Sequence, residues 1–203
     1  HRAGHLERSD WMNLFYEEYP KALEVHGEFY PIITDFREYI RLLDMLKCKE
    51  LNEIQRIMIL GEYFLTDISI DQEAIHALTG FVTMDLKEKE NNSDSEEEGE
   101  GQEETEKKNL FSYEIDYPYI LSGFLRDYGI DLETVEYLHW WKFRMLFDGL
   151  SDDTEIKQRI MYRGINLSDI KDRDERKRIL KIQRSIQLPA EELTDYEIGH
   201  AFA

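Results

Sequence analysis

One stretch of the sequence cannot contribute to a hydrophobic core, and it divides the chain. Residues 85–108 contain eleven acidic and four basic residues, and no apolar residue occurs between Asn91 and Thr105. Such a segment cannot bury enough apolar surface to offset the entropy lost on ordering. We therefore predict a disordered acidic linker over residues 85–108. Two interpretations of its role are open: a solvated spacer, or an acidic arm that docks on a basic partner.

The parts on either side of this segment define the predicted domain organisation. Residues 12–84 form a first half, residues 109–189 a second half, and residues 190–203 a tail. The chain begins with a histidine, and Met12 is the first methionine, so residues 1–11 are interpreted as a non-native extension. Each half is shorter than about 100 residues, which means that mutual packing or oligomerisation would help its stability. The pattern leaves open whether the halves share one core.

In the first half, short periodic segments predict a small β-hairpin followed by three helices. Alternating residues flank His26-Gly27, and glycine suits the turn. Thr34 or Asp35 can cap the first helix. A second helix is expected over residues 52–65, and Asp71 can cap a third. Apolar residues spaced at three or four define the expected buried face of each helix. The first helix is expected to bury Phe36, Tyr39, Ile40, Leu43 and Leu46. The second is expected to bury Ile54, Ile57, Met58 and Tyr63, and the third Ile75, Leu78, Phe81 and Val82.

The second half is predicted to be helical around one strongly apolar element. A helix capped by Asp116 is expected to end at Gly129. Residues 131–149 then predict a single central helix, whose apolar stripe covers more than half its circumference and indicates packing on several sides. Shorter helices are expected over residues 153–162 and 173–187. The predicted fold class is mainly α: two helical halves, a small N-terminal β-hairpin and a disordered acidic linker.

Charge and composition exclude several classes of partner. The formal net charge of −19 disfavours binding to phosphate backbones and to anionic membrane surfaces. No segment approaches the roughly 20 apolar residues that span a bilayer. Cys48 is the one cysteine, so an internal disulfide is excluded and a reducing compartment is favoured. We therefore expect neither a nucleic-acid nor a membrane partner.

No catalytic or cofactor-binding motif was found, so we expect a non-enzymatic protein without cofactor or metal. There is no glycine-rich phosphate loop, paired-histidine metalloprotease motif or calcium-loop pattern. His139 could be a general base in an aromatic pocket or a packed histidine. Trp140 and Trp141 could form an aromatic cage or fill the core. Glu133 and Glu136, three residues apart, are typical of any helical surface.

The one basic stretch of the chain runs from Lys171 to Arg184 and is interleaved with acidic residues. Three interpretations are open. The stretch could be a solvated face laced with salt bridges, a nucleic-acid footprint, or a surface for self-association with the acidic linker.

The aromatic segment of the second half resembles the signature of a known family. Tyr128-Gly-Ile-Asp-Leu132, followed by residues 137–150 (YLHWWKFRMLFDGL), is similar to a tailed-bacteriophage family named after gene product fifteen. Residues 28–32, 34–37 and 162–169 agree with it, and the match runs from about Met12 to Pro189. The signature residues, which we also expect in the core, are Tyr137, Leu138, His139, Trp140, Trp141, Phe143, Met145, Leu146 and Phe147.

This resemblance implies a function without identifying a catalytic residue. Members of the family are encoded near the tape-measure gene, which implies a tail assembly chaperone that binds the tape measure protein in the host cytoplasm. Recruitment of tail-tube protein and absence from the finished particle are further implications. The alternative is a structural head or tail connector that is retained in the virion. A host-directed nucleic-acid mimic is a third hypothesis, which would need acidic side chains at fixed spacing outside the linker.

Overall fold

A computed structural model describes residues 18–48, 50–84 and 110–189. The predicted extension 1–11, the acidic linker 85–108 and the tail 190–203 all lie outside the described residues. Within the described residues the protein has seven α-helices, one 3-10 helix and one two-stranded antiparallel sheet. The predicted mainly α fold class is therefore confirmed.

The N-terminal hairpin forms where the alternation predicted it. Strands β1 (Ala22–Val25) and β2 (Glu28–Pro31) pair with Ala22 opposite Pro31 and Val25 opposite Glu28. His26 and Gly27 have φ values of 53° and 78°, and two successive left-handed residues are what a tight hairpin turn requires. The His26 imidazole lies 2.6 Å from Asp71 and 3.2 Å from Glu73. This contact attaches the turn to the start of the third helix.

Three helices follow: α1 (Phe36–Leu46), α2 (Glu53–Gly61) and α3 (Gln72–Thr83). Their N-caps satisfy backbone N–H groups that have no partner inside the helix. Asp35 accepts a hydrogen bond from the N–H of Arg37, and Asp71 accepts from those of Glu73 and Ala74. The caps predicted at Asp35 and Asp71 are therefore confirmed.

The predicted buried face of α2 is partly wrong. Ile54 and Met58 are 70% and 66% exposed, and the helix ends at Gly61 instead of near Leu65. The helix packs mainly against α1, so this two-and-a-half-turn element buries a single side, on which Leu60 lies. Ile54 and Met58, four residues apart, share the outward face of the helix. Because both faces of α2 carry apolar residues, their spacing alone does not show which face is buried.

The second half contains α4 (Tyr117–Tyr128), α5 (Trp140–Asp148), α6 (Glu155–Gly164) and α7 (Arg173–Ser185), with a 3-10 turn (Leu167–Asp169) before α7. Gly129 ends α4 with a φ of 64°, as the sequence predicted. Helix α6 begins two residues later than predicted, because Thr154 caps it by accepting a hydrogen bond from the N–H of Lys157.

The predicted central helix over residues 131–149 begins nine residues later, at Trp140. Residues just before it pair with the segment that precedes α1: the N–H of Phe36 donates to the carbonyl of Leu138 at 2.9 Å, and the N–H of Trp140 donates to that of Thr34 at 2.8 Å. The guanidinium of Arg37 donates to the carbonyls of Leu132 and Val135, which a helix would use internally. These tertiary bonds replace the helical ones.

The two halves share one hydrophobic core, which settles the question that the sequence left open. Phe36 of the first half stacks on Phe143 of the second at 4.7 Å between ring centroids. Tyr39 stacks on Trp140 at 5.5 Å. Because the fully buried side chains come from α1, α3, α4, α5 and α6 together, neither half buries its apolar face alone.

Asp116 occupies the N-cap position of α4, as predicted, but the prediction that its side chain caps the helix is wrong. Its side chain makes no capping hydrogen bond. Instead the carboxylate forms a bidentate pair with Arg163, at 2.6 Å and 2.9 Å, with both side chains buried. Arg163, expected to lie in a turn, also donates to the carbonyls of Leu110 and Ile186. The buried pair therefore joins the start of the second half to α6 and to the end of α7.

We expect Arg163→Met to lower the free energy of unfolding by about 3–5 kcal/mol, because it leaves the Asp116 carboxylate buried without its partner. Urea unfolding followed by circular dichroism measures this. The matched control is Glu155→Gln on the same helix, which removes the more exposed Arg159–Glu155 pair and is expected to change the value by about 0.5 kcal/mol. Equal effects of the two substitutions would contradict the role of the buried pair.

Candidate functional site

The structure places most of the aromatic signature residues in the core. Leu138, His139, Trp140, Trp141, Phe143 and Phe147 are buried, and Leu146 is half-buried. Tyr137 and Met145 are exposed, so the expectation of a core position is wrong for these two. Tyr137 precedes the helix, and its hydroxyl lies 2.8 Å from that of Thr34. Met145 lies on the side of α5 that faces away from the core.

The two indoles are used for internal hydrogen bonds. Trp140 Nε1 donates to the carbonyl of Val82 at 3.0 Å, and Trp141 Nε1 donates to that of Phe81 at 2.9 Å. Both carbonyls belong to the last turn of α3, where carbonyl groups lack the usual helical donor. The arrangement fits the interpretation that the tryptophans fill the core, and does not form an aromatic cage around a ligand.

His139 is the N-cap of α5, a role that the sequence analysis missed because it placed the residue inside the helix. Its Nδ1 accepts a hydrogen bond from the N–H of Trp141 at 3.1 Å. Its Nε2 therefore carries the proton and donates to the carbonyl of Pro20 at 3.0 Å. The ring also stacks on Tyr19 at 4.9 Å. With both nitrogens bonded to backbone, the geometry favours the packed-histidine interpretation over a general base.

Burial lowers the pKa of His139 below its ordinary value of 6.5, and the nearby Lys21 acts in the same direction. The hydrogen bond to Pro20 opposes this effect only in part. Protonation of Nδ1 would also set two donors against each other, because that nitrogen accepts from Trp141. The folded state therefore holds the neutral imidazole.

Glu133 and Glu136 do not form a pair on a helical surface, because residues 132–138 are not helical. Glu133 instead accepts a hydrogen bond from the hydroxyl of Tyr117 at 2.8 Å. Among the described residues, no group of three or more histidine, cysteine, aspartate or glutamate side chains could hold a metal ion. Among the residues that the structure describes, no helix has the length and apolar character needed to cross a membrane.

A cleft of about 410 Å³ lies between the two halves, beside α5. We call it the inter-half cleft. Phe36, Ile120 and Phe143 are buried and form its floor, whereas Tyr117 and Glu133 are exposed and form its rim. Its lining residues are Phe36, Arg37, Ile40, Tyr113, Tyr117, Ile120, Leu132, Glu133 and Phe143. His139, Trp140 and Trp141 are not among them.

Three polar side chains of the inter-half cleft, Arg37, Tyr117 and Glu133, are already bonded within the protein. The Arg37 guanidinium pairs with Asp35, donates to two backbone carbonyls and lies 4.7 Å from the centre of the Phe36 ring. The hydrogen bond to Glu133 raises the pKa of Tyr117 and keeps its hydroxyl neutral. The lining offers a single carboxylate, which is too few ligands for a metal site. The interior is therefore suited to an apolar group.

The sequence analysis did not identify the inter-half cleft. Its walls come from segments about 100 residues apart, around Ile40 and Glu133, and nothing in the periodicity of either segment indicates the other. The exposed Tyr117 next to Pro118 carried no distinguishing signal either. The cleft is visible only once the tertiary pairing of the two halves is known.

We expect the stability of the protein to fall as the pH drops below about 6.5, in part because of His139. Above its unfolded pKa the histidine is neutral in both states; below it the unfolded chain binds a proton that the folded state accepts only at lower pH. His139→Asn retains a capping oxygen and removes the titration. Urea unfolding at pH 7.5 and 5.5 should therefore show a smaller pH-dependent loss for the variant. An unchanged loss would contradict this role.

Comparison with known proteins identifies a family. The bacteriophage Gp15 protein family matches residues 15–188, which include the aromatic signature and both halves. A search of curated proteins and a search of solved structures each gave no match. The family suggests a structural or assembly protein of a phage. The matched range covers more than four-fifths of the chain, so this protein belongs to the bacteriophage Gp15 protein family.

Proposed function

We propose that the protein is a non-catalytic tail assembly chaperone that binds the tape measure protein in the host cytoplasm. The observation that carries this proposal is the inter-half cleft, which has an apolar floor and a rim whose polar groups are bonded internally. Such a surface can exchange water for an apolar side chain while Arg37, Tyr117 and Glu133 keep their internal hydrogen bonds. Membership of a phage family that suggests an assembly role supports the proposal.

The proposed binding mode is a helix in a groove. An amphipathic segment of the client would place apolar side chains in the cleft and keep its polar face in water. The volume of about 410 Å³ lies near the lower end of the ~300–1,000 Å³ range of ligand clefts. This size fits the apolar side chains of about one helical turn. The rest of the client, and any tail-tube protein, would contact other parts of the surface.

The net charge of −19 supports the chaperone proposal in a second way. A strongly charged chain repels other copies of itself, which favours solubility. A complex of an aggregation-prone client with many copies of this protein would acquire the same charge. Solubility of the client would then follow from binding alone, and no catalytic step is required.

Co-expression tests the chaperone proposal directly. We expect the tape measure protein to be mainly insoluble when expressed alone and to become soluble, and to co-purify, when this protein is present. A client that stays equally insoluble in both cases would contradict the proposal. The control is co-expression with an unrelated acidic protein of similar size, which should have no effect.

Mass spectrometry of purified particles separates the chaperone from the connector alternative. A chaperone is expected to be absent from the finished virion but present in complexes isolated from infected cells. Stoichiometric presence in the virion would favour a structural connector instead. A pull-down from infected cells identifies the partner in either case.

Filling the inter-half cleft tests the proposed site. We expect Ile40→Trp to lower the affinity for the tape measure protein at least about tenfold, or about 1.4 kcal/mol, because the larger side chain occupies the cleft. The matched control is Ile54→Trp on the exposed side of α2, which should bind normally. Circular dichroism and urea unfolding establish that both variants fold. Normal binding by a folded Ile40→Trp variant would place the client site elsewhere.

A further inference from the structure

Helix α7 carries an exposed face of cations that the described residues do not neutralise. Seven basic residues lie in or next to this helix, against three carboxylates: Lys171, Arg173, Arg176, Lys177, Arg178, Lys181 and Arg184, against Asp172, Asp174 and Glu175. Within residues 18–48, 50–84 and 110–189, the helix has one ion pair, between Lys177 and Asp174 at 3.8 Å, with both side chains largely exposed. The interpretation of a face laced with salt bridges is therefore not supported.

The three carboxylates of α7 and its N-cap cannot neutralise all seven basic side chains. Asp172 is the N-cap and accepts a hydrogen bond from the N–H of Glu175 at 2.7 Å. Ile179 is the buried residue that attaches the helix to the core. The residues from Lys171 to Arg178 are all exposed. A net excess of four positive charges therefore lies on the surface of a chain whose formal net charge is −19.

The chain itself contains a matching anion. Residues 85–109 hold eleven acidic and four basic residues, an excess of seven negative charges. The segment re-enters the described structure at Leu110, whose carbonyl accepts from Arg163 at 3.0 Å. Arg163 also donates to the carbonyl of Ile186 at 2.7 Å, directly after the end of α7. Leu110, the first described residue after the acidic segment, therefore lies near the C-terminal end of the basic helix.

Chain dimensions allow the acidic residues to reach the cations. The thirteen residues of α7 span about 20 Å at 1.5 Å per residue. Glu103, Glu104 and Glu106 lie within seven residues of Leu110, a reach of up to about 23 Å. A segment attached this close to its target has an effective local concentration in the millimolar range. Contact within one chain is thus favoured over contact between copies at ordinary concentrations.

We propose that the exposed basic face of α7 is the docking surface for the acidic segment, residues 85–109, of the same chain. The contact neutralises this cationic surface and so excludes external polyanions such as nucleic acid from it. Because the contact joins charged groups on an exposed helix face, it weakens as the salt concentration rises. This inference is independent of the proposed chaperone function.

Zero-length carbodiimide cross-linking of the full chain tests this proposal, because it joins lysine amines only to carboxylates in direct contact. An equal mixture of unlabelled and ¹⁵N-labelled protein is cross-linked and analysed by mass spectrometry. We expect links from Lys177 or Lys181 to acidic residues of 85–109, with both peptides carrying the same isotope, and a several-fold lower yield in 1 M salt. Links of mixed isotope composition, or no links to this segment, would overturn the proposal.

A charge-matched pair of variants controls for general electrostatics. Arg173→Gln with Arg178→Gln leaves the reactive lysines in place and should lower the cross-link yield at least threefold. Arg41→Gln with Arg126→Gln removes the same charge from exposed positions elsewhere and should lower it much less. Equal losses in the two double variants would overturn the assignment to α7. Binding of a labelled oligonucleotide to the intact protein at physiological salt would overturn it as well, in favour of a nucleic-acid surface.

Discussion

Two indole N–H groups join the two halves of the chain by bonding carbonyls in the last turn of α3. A helix end buried in a core leaves carbonyl groups without donors, and each unsatisfied group costs about 1–3 kcal/mol. Trp140 supplies such a donor to the carbonyl of Val82, and Trp141 adds one to the carbonyl of Phe81, which also accepts from the N–H of Met84. The same residues start α5, so the helix that fills the core is also the one that completes α3. The stacks of Phe143 on Phe36 and on Phe124 then follow from the position of α5.

Three buried polar side chains, those of His139, Asp116 and Arg163, are committed to structure. His139 uses one ring nitrogen to cap α5 and the other to bond Pro20, and Asp116 is held by Arg163. Arg37, Tyr117 and Glu133 around the inter-half cleft are also bonded within the protein. A site in which hydrogen-bonding groups are already paired is better suited to contact with apolar groups than to proton transfer. This distribution of polar groups favours a surface that binds apolar groups.

Local features of the fold could be predicted from the sequence, because their causes lie within a few residues. The hairpin turn at His26-Gly27, the caps at Asp35 and Asp71 and the end of α4 at Gly129 are of this kind. The wrong predictions share a different cause. Residues 131–139 are not helical because their carbonyls accept from Phe36 and Arg37. The Asp116 side chain does not cap α4 because it pairs with Arg163. The inter-half cleft depends on the same long-range pairing, which no periodicity encodes.

The pairing of the two halves also determines when the first half can finish folding during synthesis. The Asp35 carboxylate accepts from the N–H of Leu138, 103 residues further along the chain. The carbonyl of Val82 accepts from the indole N–H of Trp140, 58 residues further along. At a ribosomal rate of roughly 5–20 residues per second, the first of these gaps corresponds to roughly 5–20 s of translation. During that interval the nascent first half exposes the apolar surfaces that α5 later covers. Folding of the first half is therefore completed only after α5 has been synthesised, and a product terminated before Trp140 would keep these apolar surfaces exposed to proteases and chaperones.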